Sequence, residues 1–283
     1  MTLNPPGTAT IMGPRPNSLK IITWNVQRAS RNDPLWDILI DFGPDIALLQ
    51  EVTKFPDSFK AKYSTIHKFA ARESGKPQTF GNAIAVKGEI VSEISLMSGF
   101  DWMDEVIGFF EGNLLGAIVE TSNGERLNIL SAYSPAWAIN RDKLKDIDTT
   151  EIQLDNNEDV WGTEVLWCAL RHTMPKYPEL WIVGGDLNTS VLFDFGPEGD
   201  RGNRLVLQRL TDLGMTECLR EYQGKIIPTY KDPRGNIDHQ LDYLYVSNRL
   251  YQSIEVCEAG KQEEIFGKKI SDHLPVVADF RQR

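Results

Sequence analysis

Residues 180–188 read Leu180-Trp181-Ile182-Val183-Gly184-Gly185-Asp186-Leu187-Asn188. A short apolar run followed by a glycine pair spells a buried strand that opens directly onto an acid and an amide. The same design recurs along the chain. Ile21-Ile22-Thr23-Trp24 runs into Asn25, Ile46-Ala47-Leu48-Leu49-Gln50 into Glu51, and the strand from Leu127 to Ala132 into Tyr133. Asp242 lies in His239-Gln240-Leu241-Asp242-Tyr243, and Asp272-His273 precedes Leu274-Pro275-Val276-Val277. One strand-end Asp is ordinarily a turn or cap residue. Six apolar strands that each deliver a polar side chain at one end imply a polar cluster at one rim of a core.

Working outward, the spacing predicts further strands over 81–86, 90–96, 114–121, 241–246, 253–258 and 276–280. Asn123-Gly124 is a strong hairpin signal between two of the strands. Pro34 opens an amphipathic helix that stops near Gly43-Pro44, and residues 159–174 and 203–213 carry apolar side chains at helical spacing. No period of 20–50 residues appears, which excludes solenoids and propellers. The expected organisation is a flexible, proline-rich lead-in over residues 1–18 and one domain over 19–283, an α/β fold of two sheets faced by helices.

With 283 residues the chain can bury a full core without staples. Cys168, Cys218 and Cys257 are an odd, widely spaced set, which argues against a disulfide framework and a structural zinc site. No apolar stretch approaches the ~20 residues of a membrane span, and the N-terminal stretch lacks the pattern of a secretory signal. A cytoplasmic protein that does not engage membranes is the expectation. Thirty Lys and Arg against forty Asp and Glu give a net charge of −10, which disfavours nucleic-acid binding through bulk charge. The charge is uneven, however. Residues 88–125 hold eight acids and no base, residues 146–170 seven and none, and residues 54–76 six bases against two acids. The last stretch reads either as a positive face or as a solvated helix and loop.

The rim residues are rich in oxygen donors and include one imidazole. Carboxylate and amide oxygens suit a hard ion such as Mg²⁺, with Mn²⁺ as a substitute, whereas zinc calls for His or Cys at close spacing. A divalent ion beside a general base and a histidine suits hydrolysis of a phosphate ester.

These motifs, in this order, resemble the endonuclease/exonuclease/phosphatase superfamily, the DNase I-like fold. The segments carrying the resemblance are Thr23–Asn25, Leu48–Val52, Ala132–Pro135, Gly184–Asn188, Leu241–Ser247 and Ser271–Val276. They span almost all of the chain after residue 18. The resemblance implies a four-layered α/β sandwich, two packed, mainly antiparallel sheets with helices outside and the active site at one rim. It implies Glu51 as the principal metal ligand, with Asn25 and Asp272 close to the metal. Asp186 resembles the residue that positions or deprotonates the attacking water, and Asn188 one that holds phosphate or water. His273 resembles the imidazole at the scissile phosphate and Asp242 its orienting carboxylate. Tyr133 matches a tyrosine that exonuclease III-type members hold near the phosphate or leaving group.

Loops set the substrate in such a family. Tyr133 leans toward the exonuclease III-like side, where the motif typically reads YxPN. Here Ala136 replaces the Asn, which speaks against specific abasic-site cleavage. No extended hydrophobic loop suggests membrane docking. Arg28, Lys60, Lys62 and His239 are the candidate substrate contacts. The leading expectation is a Mg²⁺-dependent nuclease for DNA or RNA. Its alternatives are a phosphatase or phosphodiesterase for a small phosphoester such as an inositol phosphate or nucleotide, and a non-catalytic binding module with an inherited fold.

Overall fold

The computed structural model describes residues 18–281 apart from 140, 156 and 198. Its strands are β1 (Ser18–Asn25), β2 (Ile46–Val52), β3 (Ser64–Ala71), β4 (Pro77–Val86), β5 (Gly88–Ile94) and β6 (Leu114–Thr121). They continue with β7 (Arg126–Tyr133), β8 (Leu180–Asp186), β9 (Met215–Glu217), β10 (Asp242–Ser247), β11 (Ile254–Ala259) and β12 (Val276–Arg281). One six-stranded sheet has the order β11-β12-β1-β2-β4-β3 and the other β5-β6-β7-β8-β10-β9. β1 and β2 run parallel, as do β7 and β8, and the remaining pairings are antiparallel.

Side-chain alternation assembles the layers. Leu19, Ile21, Ile46, Leu48, Leu127, Ile129, Ile182, Leu244 and Val246 share one buried cluster between the two sheets. Their sequence neighbours Ile22, Trp24, Ala47 and Leu49 face the other way, under the helix Leu35–Phe42. On the second sheet Leu130, Trp181, Val183 and Tyr245 pack under the helices Asp101–Phe109, Gly162–Thr173 and Asn203–Asp212. The result is a four-layered α/β sandwich. Truncating a wholly buried interior residue such as Leu48 to Ala would cost about 2–5 kcal/mol.

Two glycines have definite work here. The helix Leu35–Phe42 ends at Gly43, whose φ of 63° lets its N–H reach the carbonyls of Leu39 and Ile40. Gly184 sits where β8 lies close against the other sheet. A Cβ there would lie 2.8 Å from Leu48 Cδ1 and 3.1 Å from Thr23 Cβ.

The structure departs from the sequence expectation in several places. Residues 54–76 are more than a solvated helix and loop. They hold a short helix, Asp57–Lys60, and the edge strand β3, whose Lys68 is paired with Glu93 and Glu111. Half-exposed edge strands interleave charges with apolar residues, which hides the strand in a charge count. The base-free stretch 88–125 contains the helix Asp101–Phe109. Ser18 opens β1, and the rest of the lead-in expected over 1–18 lies outside the described residues. Among the described residues no helix is long and apolar enough to cross a membrane.

Candidate active site

The site is built at one rim of the sandwich, and the strand register brings its parts together. Tyr133 ends β7 opposite Asp186, which ends β8, and Asp186 is in turn opposite Asp242 at the start of β10. By alternation Asp186 shares the inward face of Ile182, and Asp242 that of Leu244. From the other sheet Asn25 ends β1 on the inward face of Ile21. Asp272 and His273 lead into β12.

Glu51 reaches the rim differently. Strict alternation from Ala47 and Leu49 would turn it outward. The β2–β4 register shifts between Leu49 and Val52, and Glu51 has a φ of 59°. This bulge swings the carboxylate inward. Gln27, Arg28 and Asn188 also have positive φ, so four of the five described non-glycine residues in this region of backbone space are at or beside the rim. Such conformations persist where the surroundings over-determine them.

The resulting geometry is dense. Asn25 Nδ2 donates to Asp186 Oδ2 at 3.0 Å and lies 3.5 Å from Glu51 Oε1, while the Tyr133 hydroxyl donates to Glu51 Oε1 at 3.0 Å. The Asn188 N–H donates to Asp186 Oδ1 at 3.0 Å, and its Nδ2 to the Ser134 carbonyl at 2.7 Å. His273 Nδ1 stands 2.8 Å from Asp242 Oδ2, and His273 Nε2 stands 3.8 Å from Asp186 Oδ2. Arg28 Nε lies 3.5 Å from Glu51 Oε2, with its guanidinium over the Phe80 ring.

Asp186, Asp242 and His273 are all buried, at 2%, 0% and 5% exposure, so their charges act through little water. Burial raises the Asp186 pKa and the Asp242 charge adds to it, against the opposing effect of His273. Burial pulls the His273 imidazole down, but the Asp242 and Asp186 carboxylates together with the Asp242 hydrogen bond outweigh it and hold the ring protonated above its ordinary range. Burial and the Glu51 charge raise the Tyr133 hydroxyl well beyond a free phenol, so it stays a donor at neutral pH. Burial raises Asp272, with His273 opposing.

The donor set suits a hard cation. The Asn25 amide nitrogen lies within reach of both Asp186 Oδ2 and Glu51 Oε1, which puts these two carboxylates side by side, while its oxygen accepts from the Gln27 N–H. Carboxylate oxygens are the donors that a hard cation takes. Asp186, Asp242 and His273 also bring three ligand atoms within 4.8 Å of one another. There His273 Nδ1 and Asp242 Oδ2 are bonded to each other, which leaves the imidazole Nε2 for other partners. Among the described residues Asp242 Oδ1 is a buried oxygen with no hydrogen-bond partner.

The structure therefore brings together Asn25, Glu51, Tyr133, Asp186, Asn188, Asp242, Asp272 and His273, with Arg28 at the edge. His239 is beside this group, against Ser190 and Phe193. Lys62 is not brought to it, and Lys60 lies near His67, whose Nε2 meets the Val52 carbonyl. Lys62 precedes Ser64, whose partner Val86 pairs with Ile46, so it is at the opposite end of β2 from Glu51.

Several supporting groups escaped the sequence reading. Thr229 Oγ1 accepts from the N–H groups of Leu241 and Asp242, and the Tyr230 ring lies 4.8 Å from His273. Ser271 Oγ accepts from the His273 N–H and donates to the Asn25 carbonyl, and Trp24 Nε1 donates to the His273 carbonyl. Ser271 and Trp24 were within motifs already singled out. Thr229-Tyr230 is in an irregular loop with no periodic signal. The short turn after Asn188 exposes Leu192, Phe193 and Phe195, which no sequence pattern marks.

A buried acid–imidazole–acid set beside a rim of oxygen donors, on a four-layered α/β sandwich, defines a phosphoesterase. The chain matches the Endonuclease/Exonuclease/phosphatase family model over residues 22–273 and belongs to that family. Similar solved structures include an AP endonuclease from Archaeoglobus fulgidus, 23% identical with a TM-score of 0.66. The match covers 93% of this chain and 99% of that one. Another is the 3'-5' exonuclease NExo from Neisseria meningitidis, 21% identical with a TM-score of 0.67 and the same coverage. At this identity the likeness is one of fold. No curated protein sequence matches the chain significantly.

Proposed function

We propose that the protein is a Mg²⁺-dependent phosphodiesterase that cleaves nucleic acid, with Mn²⁺ as a substitute ion. The observation that carries this reading is the pair of distances around His273, 2.8 Å to Asp242 and 3.8 Å to Asp186. One imidazole so held serves a phosphate next to a buried acid that can take a proton from water.

Glu51 and Asp272 would hold the ion, with Asn25 close to it. When bound, it neutralises charge on the phosphoryl oxygens and lowers the pKa of water. Asp186 orients the attacking water and accepts its proton, for which its raised pKa suits it. Asn188, fixed by the Ser134 carbonyl, keeps the Asp186 carboxylate in position and faces the phosphate. Protonated His273 donates from Nε2 to the phosphate, and Asp242 holds the ring in that orientation. Tyr133, a phenol that resists ionisation, gives its one hydrogen to Glu51 and so anchors that carboxylate near the leaving oxygen.

A nucleic-acid substrate is further supported by a relative of the same fold, the 3' phosphatase NExo from Neisseria bound to a product DNA hairpin. The test is incubation of end-labelled single- and double-stranded DNA and RNA with Mg²⁺, Mn²⁺ or EDTA. Metal-dependent products support the reading, and the ladder separates endo from exo action. No cleavage by folded, metal-loaded protein transfers the chemistry to a small phosphoester.

A further inference from the structure

Just beyond the Asp186–Asn188 segment the chain turns through Val191–Phe195 and exposes Leu192 at 36%, Phe193 at 38% and Phe195 at 80%. Large apolar side chains presented together beside a catalytic rim mark a contact surface. The turn is tied down on both sides. Asp194 Oδ1 accepts from the N–H groups of Arg201 and Asn203 and from Asn203 Nδ2, and Oδ2 accepts from the Arg204 N–H. Ser190 Oγ accepts from the Leu192 N–H and meets His239 Nδ1. The backbone that carries the rings is thus held in place rather than left as a loose tip.

Between this turn and the catalytic cluster lies a cavity of about 570 Å³, within the ~300–1,000 Å³ typical of small-ligand sites. Asn188 and Ser134 line its catalytic side. Phe193 and His239 also line it, their rings 4.4 Å apart and tilted by 35°, and Trp161 lines it as well. The carboxylate of Glu164 in its wall is occupied by the N–H groups of Leu154 and Trp161. Arg201 lines it too, and aromatic faces beside hydrogen-bonding groups suit a flat heterocycle carried on a phosphate chain.

We infer that this cavity takes one intact, unstacked nucleobase adjacent to the scissile phosphate, with Phe193 and His239 as its stacking surface and Phe195 bearing on the neighbouring base. This rests on the nucleic-acid reading above and narrows it to a strand whose base at that position is unpaired.

The test is a binding cycle by fluorescence anisotropy in Mg²⁺, using the full chain with Asp186→Asn to prevent turnover. A series of single-stranded oligonucleotides replaces each base in turn with an abasic tetrahydrofuran unit. One position is expected to lose about ten-fold in affinity when its base is removed. Phe193→Ala with Phe195→Ala should weaken the intact oligonucleotide about ten-fold and the abasic one by less than about two-fold. Phe195→Trp, at a side chain that packs on almost nothing, should keep tight binding. Additive losses, or no position sensitive to base removal, overturn the inference and leave the nuclease reading standing. Absence of binding and cleavage with every nucleic acid removes both.

Discussion

His273 and Asp242 meet across the gap between the two sheets: His273 leads into β12 of one, Asp242 opens β10 of the other, and Nδ1 and Oδ2 are 2.8 Å apart. Catalysis therefore depends on the packing of the sandwich as well as on the residues themselves. Asp242→Asn keeps the shape but removes the charge that holds the imidazole protonated. Turnover is expected to fall about 10²–10⁴-fold with little change in KM. The His273 ring, followed by NMR, should titrate at lower pH than in the unsubstituted protein. A titration that does not move would deny Asp242 its part in charging the ring.

Tyr133 donates to the carboxylate that would hold the ion. Tyr133→Phe removes that bond and leaves the ring packed edge-on to Phe80. Loss of such an outer partner typically weakens metal affinity about 10–100-fold. Titration with Mn²⁺ followed by electron paramagnetic resonance should register the weakening, and Glu51→Gln should produce a larger one. Unchanged Mn²⁺ affinity in both variants would place the ion elsewhere.

Glu164 makes stability depend on pH. It is 1% exposed, and burial lifts its pKa to about 7 despite two backbone N–H donors. A carboxyl raised on folding favours the protonated folded state. Its contribution is complete below the unfolded value of 4.5 and is lost as pH rises through about 7, a difference of roughly 3 kcal/mol. Glu164→Gln should match the unsubstituted protein in urea unfolding near pH 4 and exceed it near pH 8. Parallel stability curves would contradict this.

Arg28 and Lys62 separate a contact at the rim from a charge at the far end. Arg28→Ala should reduce the salt slope of oligonucleotide binding by about one, as expected for one phosphate contact. Lys62→Ala should leave the slope unchanged. The reverse pattern would relocate the substrate path to the edge strand.

Much of this was legible in the sequence because strand ends are local. Asn25, Asp186 and Asp242 follow from counting alternate residues along buried strands, and the motif order supplied the rest of the cluster. Glu51 is the instructive exception, since alternation alone sends it outward and only a bulge with positive φ returns it. Thr229 and Tyr230 were unreadable because their role comes from a loop crossing to His273, a contact with no periodic trace. Lys62 is far from the rim because a cluster of charge in sequence is spread along the chain, and the edge strand that follows carries it to the other end of β2. Phe193 and Phe195 passed as ordinary hydrophobics, as burial is decided by the surrounding fold.

The most direct measurement is the single-turnover rate of cleavage of one end-labelled oligonucleotide with Mg²⁺, for the unsubstituted protein and Asp186→Asn side by side. The account predicts metal-dependent cleavage that falls by about 10²–10⁴-fold in the variant, with oligonucleotide affinity held within about three-fold. Cleavage at comparable rates in both proteins would contradict it.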